Sequence, residues 1–379
     1  FFMRPTALIF ACFCLFQAVR GQQPSPPPSI HEEVTVTAAG TETRVGETPA
    51  SVASLSRADI EASAAPVLDD VLRQAVGFSI FRRSSSRNAN PTTQGVSLRG
   101  VGSSGASRST VLFDGVPLND PFGGWVQWNR VSSVEIGSAE VFRGGASALY
   151  GDSGLSGAVN LLRRTEMGEH LAFEIFGGGH RTYSGSVFAG FGAKRWQADV
   201  AAARFSTRGF VPVESASAGP VDTPAGVQSW LVRPRFGYLV GNRGSIFAEP
   251  SYFTEARANG TRLQTNRTHI NGLVIGGDIA GRVNARWRMF GGRQVYDQTF
   301  SAVDALRVSE VLNRIQRVPV QNIGGSFHLN AAVGRHTIVA GFDARNVRGE
   351  SDETAYSMGT PSAITNSGGR QTTFGVYLQ

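Results

Sequence analysis

Residues 171–175 read Leu-Ala-Phe-Glu-Ile, so large apolar side chains alternate with a small one and a charged one. The same period of two recurs around 196–202, 273–279 and 338–343. Period two is the signature of a β-strand, because successive side chains point to opposite faces of a sheet. From residue 170 onward, the pattern predicts a series of about ten strands.

The length of these runs separates two classes of β protein. Many runs last roughly 9–14 residues, which suits a tilted strand that crosses a membrane. The strands of a soluble β-sandwich, the alternative, are usually about 5–6 residues long. Trp196, Trp230 and Trp287 also lie near predicted strand ends. We therefore expect residues 166–379 to form a transmembrane antiparallel β-barrel, apolar toward lipid and polar toward its lumen.

The barrel predicted in this way is incomplete. An open sheet edge in lipid leaves backbone groups unpaired, so a membrane barrel must close. The sequence stops inside a predicted strand at residues 375–379. About ten strands would close only a narrow barrel with no room for a domain inside. We expect the sequence to be a truncated form of a larger barrel.

Residues 46–165 carry a different, mixed pattern. Ser56 is placed to cap a short helix over 57–63, and Pro66 opens a second helix that Gly77 ends. Short strands separated by turn glycines follow. These predicted strands cover 78–81, 96–99, 110–114, 133–142 and 157–163. The pattern indicates a small α+β domain.

The opening segment has the features of an export signal. An apolar stretch at 7–19 follows a positive charge and precedes the small residue Gly21. We expect residues 1–21 to be a signal peptide that is cut after Gly21. The cysteines of the chain are Cys12 and Cys14, both in this segment. A lipid anchor on Cys12 is the alternative interpretation.

Composition and motifs argue against an enzyme. The 36 basic residues include a single lysine, Lys194, and the net charge is +7. The six histidines show no metal-ligand spacing, and no Gly-x-Ser-x-Gly motif occurs. Residues 100–105 match a dinucleotide fingerprint, but a strand rather than a helix is predicted to begin at Thr110. No basic stripe with interleaved aromatic residues suggests nucleic acid. We expect no catalytic residues, no bound metal, no cofactor and no nucleic-acid partner.

Several motifs in order carry a resemblance to a known family, over most of the chain and most strongly over 48–164. They are Thr48–Ala53, Asp70–Gly77, Val96–Gly100, Val111–Pro117, Ser133–Ile136, Glu140–Gly151 and Gly157–Leu162. The chain resembles the TonB-dependent outer-membrane receptors, in which a plug domain fills a barrel of about 22 strands. Val76 stands where that family usually has proline. The fold class expected is therefore mainly β, with a small α+β plug domain inside a transmembrane barrel.

The resemblance gives a role to residues 22–45, which read as a linker between the signal peptide and the plug. In the family, this region contains the TonB box, a short segment that binds the inner-membrane energy-transducing complex by strand addition. The residues that match it here are Glu33, Val34, Thr35, Val36, Thr37 and Ala38. The alternative is a solvated, β-prone linker.

Two arginines of the plug are matched to a family role. Arg99 and Arg143 each end an apolar strand and precede a glycine. The resemblance implies that they face acidic residues of the barrel wall and lock the plug in place. An ordinary solvated strand end is the alternative for each.

The outward loops of the plug meet the ligand in this family, and here they are 82–93 and 119–129 by position. The ligand-binding residues predicted in them are Arg82, Arg83, Arg87, Asn88, Asn90, Phe122, Trp125, Gln127 and Trp128. Aromatic rings and amides beside arginines suit a bulky polar or anionic ligand. Aromatic side chains that simply pack on the barrel wall are the alternative.

Together these features predict an energised transporter in the outer membrane that imports a scarce, bulky nutrient. A ferric siderophore is the first candidate, and cobalamin or a carbohydrate are alternatives. The predicted partners are the TonB complex, the ligand and outer-membrane lipid. A passive porin or adhesin barrel is the alternative from a different class, and it would lack both plug and TonB box.

Overall fold

The computed structural model describes residues 34–35, 43–44, 51–82, 84–98, 100, 107–144, 154–166 and 168–378. Within them, residues 51–166 form a small α+β domain, which we call the plug. Residues 168–378 form a large antiparallel sheet, which we call the wall. The predicted signal peptide lies outside the described residues.

The plug begins with the two predicted helices in shortened form. Helix α1 is Arg57–Ala62, and Ser56 caps it in a reciprocal capping box with Asp59. Helix α2 is Leu68–Leu72. It starts two residues after Pro66, since Val67 is still extended.

Seven short strands complete the plug. They are β3 (Ser51–Leu55), β4 (Phe78–Ile80), β5 (Val96–Leu98), β6 (Ser109–Phe113), β7 (Val116–Pro117), β8 (Ile136–Arg143) and β9 (Gly157–Arg163). Five of them form one sheet in the order β3-β8-β9-β6-β7, and β4 pairs with β5. Strands β6 and β9 are parallel, and the other pairs are antiparallel. Helix α2 and both sheets enclose a core that includes Leu72, Leu98, Val111, Trp128 and Leu161.

One predicted strand of the plug is wrong in its first three residues. Ser133–Glu135 forms a 3-10 helix, and β8 begins only at Ile136. The Glu135 carboxylate accepts a hydrogen bond from the backbone N–H of Ser132 at 2.9 Å. This capping box favours a helical turn over a strand. It also fixes the position of Glu135, whose carboxylate contacts Arg233 of the wall.

The wall confirms the predicted barrel strands. It has ten strands in the described residues, each hydrogen-bonded to the next in sequence. They are β10 (His170–Gly178), β11 (Thr182–Ala193), β12 (Trp196–Phe210), β13 (Ala225–Val240), β14 (Gly244–Ala258), β15 (Thr265–Ile279), β16 (Val283–Val303), β17 (Glu310–Val333), β18 (His336–Ser357) and β19 (Thr360–Leu378). The sheet is not closed: β10 and β19 form its two edges. No helix in the described residues is long and apolar enough to span a bilayer.

The predicted strand length of 9–14 residues is too short for most of the wall. Strands β16 to β19 have 19 to 24 residues. Only about 9–11 residues are needed to cross a bilayer, so these strands continue well beyond it. The parts of these strands beyond the bilayer carry polar residues. A search for alternating apolar residues therefore does not detect them.

The connections between strands orient the wall. At one end, only residues 194–195, 241–243, 280–282 and 334–335 join the strands. The other end has longer loops, chiefly 211–224, 259–264 and 304–309. Outer-membrane barrels have short periplasmic turns and longer extracellular loops. The end with the long loops is therefore the extracellular end.

The two faces of the wall differ as expected for a barrel in lipid. On β13, Leu231 and Arg233 are buried toward the plug, whereas Trp230 and Val232 face outward and are exposed. The outward rings of Trp196 and Tyr238 contact each other edge to face near the periplasmic end, 4.8 Å between centroids. Trp230 lies on the same outward face eight residues from Tyr238, or about 26 Å along the strand. Aromatic residues at both ends of an apolar band match the girdles of membrane barrels.

Candidate functional site

A buried carboxylate joins the plug to the wall. Glu135 Oε1 accepts a hydrogen bond from Arg233 Nη1 of β13 at 2.7 Å, and its Oε2 lies 3.5 Å from Arg163 Nη1 at the end of β9. None of the three side chains is more than 5% exposed. Arg233 also donates to the backbone carbonyl of Arg130 at 2.6 Å. The contact therefore links both side chain and backbone of the plug to the wall.

Two further carboxylates of the wall complete this cluster. Glu249 of β14 lies 3.2 Å from Arg163 and 3.5 Å from Arg233, and Asp199 of β12 pairs with Arg163. Burial alone would lower the pKa of Arg163, but the carboxylates of Glu249, Glu135 and Asp199 raise it instead. Arg163 therefore stays charged although only 3% of its side chain is exposed. We call these five residues the charge cluster.

A tight turn in the plug makes the second ionic contact. Asp114 and Gly115 both have positive φ, as the Asp-Gly sequence predicts. The turn places the Asp114 carboxylate 3.0 Å from Arg235 and 3.5 Å from Arg288 of the wall. Burial alone would raise the pKa of Asp114, but Arg288 and Arg235 together lower it to about 2. Arg288 also lies 3.2 Å from Asp278, so this contact continues along the wall.

These contacts have consequences for how the plug can move. Replacing a buried ion pair by apolar residues is often neutral or stabilising, whereas removing one partner is costly. These ionic contacts act beside small apolar clusters between plug and wall, in which Val134 packs on Phe188 and Ala201, and Val67 packs on Phe205 and Val227. Sequence reasoning missed Glu135, Arg163 and Asp114. The signal in the sequence was the alternation on β13, which places Arg233 and Arg235 on the side that faces the lumen.

The first outward loop of the plug is attached to both α2 and the wall. Asp69 accepts hydrogen bonds from the Ser86 backbone N–H at 2.9 Å and from its hydroxyl at 2.5 Å. Arg257 of β14 donates to the carbonyls of Ser86 and Ala89 at 2.6 and 2.9 Å. Asn88 donates to the carbonyl of Ala225, which follows the longest extracellular loop, at 2.9 Å. The loop therefore lies toward the extracellular end, as predicted from sequence.

The other predicted residues of this loop occupy different surroundings. Arg82 is exposed, and Arg87 lies 3.7 Å from Asp70. The Asn90 side chain accepts hydrogen bonds within its own turn from Thr92. Arg83 lies outside the described residues. Of this set, Arg82 is the side chain most open to a ligand.

The attachment of the first loop to α2 should depend on pH. Burial, and secondarily the charge of Asp70, raises the pKa of Asp69 to about 6, from an ordinary value of 3.8. A carboxyl group whose pKa is higher in the folded than in the unfolded state stabilises the fold while it is protonated. This stabilisation is complete below the unfolded-state pKa and is lost as the pH rises through the folded-state pKa. We expect the contribution of Asp69 to fall by about 2 kcal/mol between pH 4 and pH 6.

This prediction is tested by comparing the wild-type receptor with Asp69→Asn in hydrogen-exchange measurements of α2 and the loop. The difference in opening free energy between the two proteins should change with pH over that range. Glu61→Gln removes a carboxylate from an exposed pair with Arg57, and it should leave the profile unchanged. A difference that is independent of pH would contradict the prediction.

The second outward loop packs mainly against the wall and the plug core. Trp125 contacts Tyr296 of β16, 5.6 Å between ring centroids. Gln127 is buried and donates to Thr268 of β15 at 3.3 Å. Trp128 is only 2% exposed. Trp125 thus packs on the wall while Gln127 and Trp128 are buried, and the ligand role of these three residues stays a prediction.

Phe122 is the exception in the second loop. Its side chain is 45% exposed, and its ring lies against Gly349 of β18. The loop backbone is held by Asp120, whose carboxylate accepts from the N–H groups of Phe122 and Gly123 at 3.0 and 2.6 Å. Phe122 is thus an exposed ring on a firmly held turn.

The predicted coupling segment is described only in part. Val34–Thr35 forms β1, which pairs antiparallel with β2 (Thr43–Arg44). The pairing shows that this stretch takes up the extended conformation that strand addition needs. Glu33, Val36, Thr37 and Ala38 lie outside the described residues.

The two predicted locking arginines are not seen with a barrel acid. Arg99 lies outside the described residues. Arg143 donates to the backbone carbonyl of Val76 in the plug at 3.0 Å. The plug–wall ion pairs described above are made by other residues, so the role of Arg99 and Arg143 stays a prediction.

Comparisons with known proteins agree with this architecture. The profile of the TonB-dependent Receptor Plug Domain matches residues 44–158. The vitamin B12 transporter BtuB of Vibrio vulnificus is 30% identical over 132 residues, which is 35% of this chain and 20% of that protein. An iron-regulated outer membrane virulence protein of Vibrio cholerae serotype O1 is 29% identical over 146 residues, 36% of this chain and 20% of that protein.

The solved structures extend the likeness to the wall. The pyoverdine outer membrane receptor FpvA from Pseudomonas aeruginosa superposes with a TM-score of 0.72 at 14% identity, covering 91% of this chain and 56% of that one. The chain spans about a fifth of the length of the curated relatives and about half of the structure.

A plug followed by antiparallel membrane strands, with a matching plug profile, defines a class of receptor. The plug of this chain belongs to the TonB-dependent receptor plug domain family, and the chain as a whole is similar to receptors of the outer membrane. BtuB is named as a transporter and FpvA as a receptor.

Proposed function

We propose that this chain is the plug and first barrel portion of a transporter that imports a scarce, bulky nutrient using energy from the inner membrane. The observation that carries the proposal is the charge cluster, a buried ionic contact between plug and wall. A passive pore has no need of a plug held in this way. In this proposal residues 1–21 are the signal peptide, 22–45 the linker with the TonB box, 46–165 the plug and 166–379 the barrel portion.

The coupling step follows from the strand character of β1. The energy-transducing protein would add a strand to the segment Glu33–Ala38, with main-chain hydrogen bonds supplying the affinity. In the structure, Val34 and Thr35 already pair with Arg44 and Thr43. Strand addition at the edge of β1 that faces β2 would require this internal pair to open, so the pair would compete with coupling at that edge.

A ferric siderophore is the ligand that we propose first. Arg82 and Phe122 offer a guanidinium and an aromatic ring on the exposed part of the two outward loops. This combination suits a bulky anionic chelate. Cobalamin is the second candidate, because curated relatives named as vitamin B12 transporters match the chain.

The two exposed residues give a direct test of the ligand surface. In the full-length receptor, Arg82→Gln together with Phe122→Ala should weaken ligand affinity at least roughly tenfold, since charged and aromatic contacts are each worth about 1 kcal/mol or more. Binding is measured on whole cells with a ferric hydroxamate chelate and with cyanocobalamin. As a control, Arg204→Gln removes an arginine that lies over Trp230 on the outer face. Unchanged affinity in the double variant would remove both residues from the ligand surface.

Growth assays discriminate between the nutrients. Cells that depend on the full-length receptor are supplied with a ferric hydroxamate, cyanocobalamin or an oligosaccharide as the limiting nutrient. The proposal expects receptor-dependent growth on the ferric chelate. Growth on cyanocobalamin alone would select the second candidate, and growth on the oligosaccharide alone would overturn both.

A further inference from the structure

Five exposed side chains form a continuous row on the outer face of the wall. Pairing between neighbouring strands places them directly opposite one another from β15 to β19. The row is Asn271, Arg293, Gln321, Arg348 and Arg370. We call it the arginine row. At about 4.8 Å between neighbouring strands, it is roughly 19 Å long.

The row faces away from the plug. Arg293 is exposed, whereas its neighbour Gln294 is 5% exposed and faces inward. The same alternation holds for Arg348 beside buried Val347, and for Gln321 beside buried Val320. The arginines therefore face the membrane or its surface and take no part in the lumen.

The row lies at the extracellular boundary of the apolar band. On its periplasmic side, the outward residues are large and apolar. They include Leu273, Ile275, Met289, Ile323, Phe342 and Phe374. On its extracellular side, the outward pair Val295–Pro319 is followed by a charged pair, in which Arg317 lies 3.1 Å from Asp297. Because barrel strands are tilted by about 35–45°, the row crosses the outer edge of the apolar band obliquely, between the acyl chains and the headgroups.

The row carries an excess of positive charge. Arg348 and Arg370 are directly opposite one another in register, which is unfavourable for like charges. Arg348 has one exposed ion pair with Glu350 at 3.0 Å. Among the described residues, Arg293 and Arg370 form no ion pair within 4.0 Å. An anion held between these guanidinium groups would relieve the repulsion.

A shallow cavity of about 1040 Å³ runs along the row. The row lines one side together with Glu350, and Leu273 and Ile323 line the other. Gly291 faces outward between them, where a Cβ would meet no atom closer than 3.4 Å. The cavity thus offers an apolar side and a cationic side in the order in which a lipid presents its acyl chain and headgroup.

We propose that the arginine row binds the phosphate groups of an anionic glycolipid in the outer leaflet, with an acyl chain lying along Leu273 and Ile323. Arginine guanidinium groups match phosphate oxygens in charge and in bidentate geometry. The site is independent of the imported nutrient, because it lies on the opposite face of the wall from the plug.

The test uses the delipidated full-length receptor and native mass spectrometry, with bisphosphorylated lipid A as the probe. We expect the wild type to bind the probe, and Arg293→Gln with Arg348→Gln and Arg370→Gln to lose affinity roughly a hundredfold, on the order of fivefold for each surface arginine. The control removes the same charge at the periplasmic turns through Arg195→Gln, Arg243→Gln and Arg282→Gln. It should retain the wild-type affinity.

Three further arms decide the chemistry. Lipid A without phosphates and free inorganic phosphate should both bind at least roughly tenfold more weakly than the probe, because the site combines charge with acyl contact. Gly291→Leu keeps every arginine but fills the cavity, so it should also weaken binding. Equal binding of the dephosphorylated lipid, equal binding of free phosphate, or unchanged affinity in the row variant would each overturn the proposal.

Discussion

Replacing Glu135 with glutamine is expected to lower the free energy of opening of the plug by about 3 kcal/mol. The carboxylate lies 2.7 Å from Arg233 and 3.5 Å from Arg163, and all three side chains are buried. Glutamine keeps the shape but leaves two buried guanidinium groups with less negative charge around them. Uncompensated buried charge is one of the few mechanisms that give so large an effect from one substitution.

The measurement is hydrogen exchange of β9 amides in the full-length receptor, which reports local opening free energies. The matched control is Glu61→Gln, which breaks an exposed pair with Arg57 and should change the free energy by less than about 1 kcal/mol. The double variant, Glu135→Gln with Arg163→Gln, should lower the opening free energy by less than the sum of the two single changes, because the residues share one contact. Equal protection of β9 in wild type and Glu135→Gln would show that the charge cluster does not hold the plug.

Replacing Val34 with proline is expected to abolish energised uptake while leaving surface binding of the ligand intact. Proline removes a backbone donor, so it interrupts any strand pairing at this position. The effect should be a fall in uptake of at least roughly tenfold, since main-chain hydrogen bonds supply the affinity of strand addition.

The control for this change is Val34→Ile, which keeps the backbone N–H and the β-branched side chain. It should take up ligand at the wild-type rate. Uptake is measured with a radiolabelled ferric hydroxamate or cyanocobalamin, whichever the growth assays select. Normal uptake by Val34→Pro would refute the assignment of the coupling segment.

Much of the fold could be predicted from local sequence. The alternation on β10, β12, β15 and β18 predicted strands of the wall, Ser56 predicted the capped helix, and Asp114-Gly115 predicted the turn. Each of these signals depends on residues within a few positions of one another. That is why they survive in the folded protein with only small errors in their boundaries.

The plug–wall contacts could not be predicted in the same way. Glu135 meets Arg233 across 98 positions of sequence, and their meeting depends on where the plug sits relative to each strand. Trp128 looked like a loop residue near a ligand, but the fold turns it into the core beside Phe78, 5.9 Å between ring centroids. Period-two patterns say which face a residue occupies, and they do not say what lies opposite.

The charge cluster and the arginine row illustrate two uses of one residue type. Arg163 and Arg233 are buried and paired, so they fix the plug. Arg293 and Arg370 are exposed on the outer face without an ion-pair partner among the described residues, so they are free to bind an external anion. The excess of arginine over lysine fits both uses, since guanidinium groups suit buried pairs and phosphate contacts.

The most direct test of the account compares binding and accumulation of one radiolabelled ligand in cells that carry the full-length receptor, with and without a functional inner-membrane transducer. The account predicts equal surface binding in both strains and accumulation only when the transducer works. Accumulation at the same rate without the transducer would contradict it, because ligand would then cross the outer membrane passively through an unplugged pore.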